Sequence, residues 1–214
     1  MVISEGERSQ TARGGARKKK LSKRLAVGGQ IGVHLFAVLP LAWLWLAIPR
    51  GLLGGDPVKE LIHFLGLGAI RLLLLTLLIS PLAKTFKFGA LNRLRRPLGL
   101  WCFVYASLHF YVWLALDLGF SWSLIGEELI KRNYILIGGA AWIILLALAV
   151  TSLPVLMRRM GRHWKSLHKL IYLAAVLTVV HFWWSQKSGW IEPAIYCCLF
   201  AVLFWPRRKR LLLG

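Results

Sequence analysis

The chain has 214 residues, 57% of them hydrophobic, and a mean hydropathy of +0.62, which is too apolar for a water-soluble globule with a polar surface. It carries 28 Lys and Arg against 8 Asp and Glu, a formal net charge of +20. A nucleic-acid binder could share that charge but not the long apolar runs described below. Cys102, Cys197 and Cys198 form no CxxC pair, so neither a disulfide framework nor a thiolate metal site is expected.

Residues 1–24 hold eight Lys and Arg but no apolar core or small-residue cleavage site. They are expected to form a disordered basic cytoplasmic arm, drawn to anionic membrane lipid rather than to nucleic acid, and not a signal peptide. Six apolar segments follow, at about 25–48, 61–82, 98–116, 134–153, 167–185 and 190–205. All but the last, which is short, approach the roughly 20 residues needed to cross a hydrocarbon core of about 30 Å. Backbone groups in lipid must pair internally, and the runs are too uniformly apolar for barrel strands, so helices are expected. The expected fold is an all-α membrane protein, a six-transmembrane-helix bundle over 25–206, closed by a basic tail at 207–214.

Positive charge sets the expected orientation. The stretches 1–24, 83–96, 154–165 and 206–214 hold 21 Lys and Arg, whereas the opposite connections hold only Arg50, Lys59, Lys131, Arg132 and Lys187. The richer side is expected to be cytoplasmic, with both termini there. Most Trp residues fit interfacial belts. Gly66, Gly68, Gly138 and Gly139 suit close helix packing rather than a nucleotide loop, and no internal repeat is expected.

Ionisable side chains are costly in lipid, so those on the spans are the candidates for a site. A neutral imidazole ligates iron well, and helices in a bundle can hold a haem between facing histidines. His109 lies 13 residues beyond Arg96 and His181 lies 16 beyond Lys165. At 1.5 Å per residue both sit about 20 to 24 Å into the membrane on helices that run the same way. They are expected to share one haem. His168 lies about 20 Å lower than His181 and points roughly 140° away from it on a straight helix, which suits a second, inner haem less well. Arg96 stands at the depth of His168 and, with Arg71 near mid-membrane, is a candidate contact for haem propionates. His34 and His63 are candidate quinone contacts or ligands. The alternative reading is a transmembrane transporter or channel whose intramembrane His and Arg line a pathway, and a third is a passive membrane anchor. Scarce membrane carboxylates and the lack of matched broken helices argue against transport.

The run Asp56-Pro57-Val58-Lys59 with His63-Phe64, then Ser80-Pro81-Leu82-Ala83, the block from Arg95 to Phe103 (RRPLGLWCF) with His109, and the block from Trp164 to Leu173 (WKSLHKLIYL) with His181 together resemble the MsrQ (YedZ) family. That family is the haem-binding membrane subunit of a bacterial periplasmic methionine sulfoxide reductase system. The resemblance covers nearly all of 25–210. It implies a ferric reductase-like transmembrane fold shared with NADPH oxidases, one or two b-type haems, a flavin (FMN), and a place in the bacterial inner membrane. It also implies electron transfer from quinone or a cytosolic flavin reductase to a periplasmic molybdenum-containing subunit that carries out the methionine sulfoxide chemistry itself. The family's haem histidines fall on His109, His168 and His181. The sequence departs from the oxidase pattern in having Arg96 where a second histidine on the third helix is expected.

Overall fold

The computed structural model describes the backbone of residues 5–186 and 189–205, and side chains from residue 24 onward. The basic tail and Lys187 lie outside the described residues. Nine α-helices are described: α1 (Glu5–Ala47), α2 (Pro57–Thr85), α3 (Arg95–Val112), α4 (Trp122–Lys131), α5 (Asn133–Val150), α6 (Pro154–Met160), α7 (Arg162–Leu167), α8 (Ile171–Ser185) and α9 (Ile191–Phe204). A 3₁₀ segment, Gly89–Leu94, leads into α3, and another, His168–Leu170, joins α7 to α8. No strand occurs among the described residues.

Helical backbone continues back to Glu5, in contrast to the disordered arm that composition suggests for 1–24. Ala, Arg, Lys and Gln are good helix formers, and lengthening an existing helix needs no new nucleus. Five stretches are long and apolar enough to cross a membrane: Arg24–Ala47, Pro57–Thr85, Gly89–Asp117, Asn133–Val150 and Arg162–Ser185. The sixth expected span is represented by α9, whose 14 residues rise only about 21 Å, short of a complete crossing.

The start of α2 is fixed locally. The Asp56 carboxylate accepts the backbone N–H of Lys59 at 3.2 Å, and Pro57 fills the first helical position, where its missing N–H leaves nothing unpaired. Leu65, Ala69, Leu72, Leu73 and Leu77 then bury one face of α2, chiefly against α3. Helix α5 packs in the same manner on α8, where Ala174 and Ala175 are wholly buried. The four helices enclose the centre of the bundle. Helix α1 lies at its edge, tied to α3 by the Tyr105 hydroxyl, which donates to the Ala37 carbonyl at 2.8 Å. The short α9 rests on α8 and α2 through Tyr196 and Phe200. Large apolar side chains face outward, Trp45 and Val202 among them, as lipid rather than water requires.

Candidate functional site

A cavity of about 670 Å³ lies among α2, α3, α5 and α8, within the size range of small-molecule and cofactor sites. Its walls are apolar and His109 and His181 are its central polar groups. Their ring centroids are 6.1 Å apart and their planes cross at 87°. Each ring is fixed in the same way. His109 Nδ1 lies 2.9 Å from the Ile62 carbonyl oxygen, and His181 Nδ1 lies 2.8 Å from that of Tyr134. A carbonyl can only accept, so both rings carry a proton on Nδ1, and a neutral ring then has a bare Nε2 lone pair. This is the tautomer that a metal-binding histidine needs, with the second nitrogen held by a neighbouring acceptor.

Two glycines allow the approach. A Cβ at Gly66 would stand 3.1 Å from His109 Nδ1, and one at Gly138 would stand 2.6 Å from His181 Nδ1. Any side chain at Gly138 would therefore push His181 off its carbonyl. Spacing reveals both glycines as packing positions, but only the fold shows that what they pack against is the pair of imidazoles.

The cavity opens at the end of the bundle that carries the starts of α2 and α5. Lys59, His63, Asp117, Glu128, Arg132 and Gln186 line that mouth. Lys59 pairs with Asp56 and, through that hydrogen bond first, holds the Asp56 carboxyl below its usual range. Arg132 Nη1 lies 2.9 Å from Glu128 Oε2. Lys59 and Arg132 were not legible as site residues, because at sequence level they read only as orientation-setting charges.

The other candidates stand elsewhere. Arg71 is exposed on α2, and its Nε donates to the Tyr196 hydroxyl at 2.9 Å, so a neutral phenol from α9 meets it. Arg96 is exposed at the start of α3. Neither lines the cavity. His34 accepts a hydrogen bond from Trp101 Nε1 at 2.9 Å, which ties α1 to α3 away from the cavity. His63 borders both the mouth and a second cleft of about 340 Å³ that also holds Glu60, Trp43 and Phe64, and its Nε2 is 3.9 Å from Glu192 Oε2. His168 lies outside the cavity. Its Nδ1 donates to the Trp164 carbonyl at 3.1 Å, its Nε2 faces Ser152 Oγ at 3.5 Å, and the Trp164 ring covers it at 4.0 Å. No second histidine faces it.

Among the described residues no group of three or more His, Cys, Asp or Glu comes together as a metal cluster. A bare ion held by protein atoms alone therefore lacks its ligands. A metal that brings its own macrocycle would need only two histidines from the protein, and His109 and His181 would be the pair to hold it.

The ferric reductase-like transmembrane component is the family whose sequence profile matches, over residues 65–179. That is more than half of the chain. The chain belongs to the ferric reductase-like transmembrane family. The matched region starts on α2, takes in His109 and His168, and ends two residues before His181. It thus spans both helix pairs that wall the cavity. Membership carries with it a membrane protein and points to electron transfer across the bilayer.

Proposed function

We propose that the protein is a haem b electron-transfer subunit and that His109 and His181 are the two axial ligands of one haem. The observation that carries this reading is the separation of the imidazoles. Metal to imidazole-nitrogen bonds of about 2 Å put the centroids of two trans imidazoles roughly 6 to 6.5 Å apart, and the rings stand at 6.1 Å. The donor set fits haem on three further counts: both Nδ1 atoms are engaged, both glycines open the approach, and the cavity is apolar with cations only at its mouth.

Bound haem supplies one-electron ferric–ferrous chemistry. The chain's own part is to hold and insulate it. His109 and His181, from the two helix pairs, would hold it through Nε2, while the carbonyls of Ile62 and Tyr134 fix the rings through Nδ1 and raise their basicity. Leu73, Ile70 and Leu145 keep water away. Lys59 and Arg132 at the mouth stand where carboxylate substituents can be neutralised, in place of Arg96 and Arg71. Among the described residues no partner ligand stands across from His168, so this reading counts one haem in the cavity.

The wider role follows the resemblance to the MsrQ family. The protein sits in a bacterial inner membrane with both termini cytoplasmic, as the charge asymmetry supports. It takes electrons from quinone or a cytosolic flavin reductase, with FMN as a further cofactor, and passes them to a periplasmic molybdenum-containing methionine sulfoxide reductase subunit. His63, beside Glu60 in the second cleft, is the better placed of the two candidate quinone contacts. The mouth end as a whole, with Asp56, Glu60, Asp117, Glu127, Glu128 and Glu192 against Arg50, Lys59, Lys131, Arg132 and Lys187, is mildly acidic, which suits a basic docking face on the partner. The test is the spectrum of the purified protein. A dithionite-reduced b-type spectrum with one haem per chain is expected, and a colourless protein that takes up no added haemin would overturn the reading.

A further inference from the structure

The two walls of the cavity repeat one another. His109 bonds to a carbonyl 47 residues before it, and so does His181. Each has a glycine 43 positions upstream against its ring, Gly66 and Gly138. The same offset of 72 residues carries the buried Ala69 and Leu73 onto the buried Ala141 and Leu145, and Phe110 onto Phe182 beside the two histidines. At the cavity mouth it carries Asp56 and Lys59 onto Glu128 and Lys131, and at the far end Gly89 onto Gly161 and Arg96 onto His168. Helix α2 packs chiefly on α3 and α5 chiefly on α8, so the equivalent residues lie in equivalent helix pairs. An internal repeat is therefore present. Its matching positions are scattered among interchangeable apolar residues, which is why the sequence alone does not announce it.

The equivalence fails at several lining positions. Towards the mouth Ile62, His63 and Trp113 correspond to Tyr134, Ile135 and Ser185; at and beyond the glycines Leu67 corresponds to Gly139, Ile70 on α2 to Trp142 on α5, and Ala106 on α3 to Thr178 on α8. Trp142 is held rigidly: its Nε1 donates to Ser107 Oγ at 3.1 Å and its ring stacks on Phe110 at 5.2 Å. One turn beyond Gly66 and Gly138, one wall is thus indole where the other is aliphatic. A b-type haem can enter such a site in two ways, related by a half-turn about the axis that runs between its propionates. The half-turn exchanges its two faces and swaps its methyl and vinyl substituents while leaving the propionates in place. Between identical walls the two orientations would be equal in energy.

We infer that residues 56–113 and 128–185 are two copies of one helix-pair unit related by a pseudo-two-fold axis through the cavity, and that Trp142 is the residue chiefly responsible for selecting one haem orientation over its flipped form. The inference rests on the haem reading above. The experiment is to count the hyperfine-shifted haem methyl signals of the oxidised, haem-loaded full-length protein by proton NMR, with the sign and size of the Soret circular dichroism as a second measure. The wild type should show one dominant set. Trp142→Ile makes the two walls alike one turn beyond the glycines and should bring the ratio of the two sets towards unity. Thr178→Ala, a smaller repair of the same asymmetry, should move it in the same direction by less, and it decides the matter if Trp142→Ile loses haem. An unchanged ratio in haem-loaded Trp142→Ile, or in Thr178→Ala where that variant decides, would overturn the inference while leaving the haem reading intact. Failure of the wild type to bind haem would instead remove the reading on which it rests.

Discussion

The two ends of the helix bundle hold similar ingredients and assemble them differently. At one end His109 and His181 face each other across a cavity, each with Nδ1 on a carbonyl and Nε2 unengaged. At the other end His168 has both ring nitrogens turned to local partners and an indole over its face, while Arg96, its counterpart under the 72-residue offset, faces outward. A histidine at a suitable depth is thus not enough. A ligand site also needs an opposing donor, room between the two, and an acceptor that fixes the tautomer.

The largest effect should come from the paired end. His109→Ala and His181→Ala should each remove most of the bound haem, read as the height of the reduced α-band per protein. Because the two positions are equivalent, the two losses should be similar. One variant retaining a full spectrum would break the pairing.

Next come the glycines. Gly138→Ala places a methyl 2.6 Å from His181 Nδ1 and Gly66→Ala one 3.1 Å from His109 Nδ1. Overpacking of this kind typically costs about 1–3 kcal/mol. Haem retention and thermal stability should fall in both, and more in Gly138→Ala. The reverse order would show that α5 yields more readily than α2.

A smaller effect is expected away from both ends. Tyr196→Phe removes the hydroxyl that meets Arg71 Nε, and leaving such a donor unmet costs about 1–3 kcal/mol. The melting temperature should drop with the haem spectrum unchanged. A spectral shift would show that Arg71 communicates with the cavity after all.

The smallest effect should come from the unpaired end. His168→Ala and Arg96→Ala should leave the cavity haem bound with its spectrum intact. Loss of half the haem in His168→Ala would place a second haem at that end and sharpen the comparison in the opposite sense.

Much of this was legible in the chain itself. Apolar length and charge placement were enough to read membrane helices, since hydropathy and rise per residue follow directly from residue identity. The same rise put His109 and His181 at one depth, because both helices cross in one direction from a basic cluster. Depth along an axis is a one-dimensional quantity, and sequence measures it well. Rotation about that axis and contact between helices are not. Nothing in the residue order showed that Arg71 would meet Tyr196, 125 residues away, or that His34 would serve as the acceptor for Trp101. Lys59 and Arg132 became cavity residues only once the α2–α3 and α5–α8 pairs closed around a common space.

The sequence by itself determined the class of the protein, the spans α1, α2, α3, α5 and α8, and the common level of the two central histidines, because each depends on local composition and distance along a helix. Tertiary structure alone decided which imidazole nitrogen is free, which glycines make room and which cations reach the mouth. Those features depend on how helices rotate and close upon one another, and close packing between elements distant in sequence is what sets that.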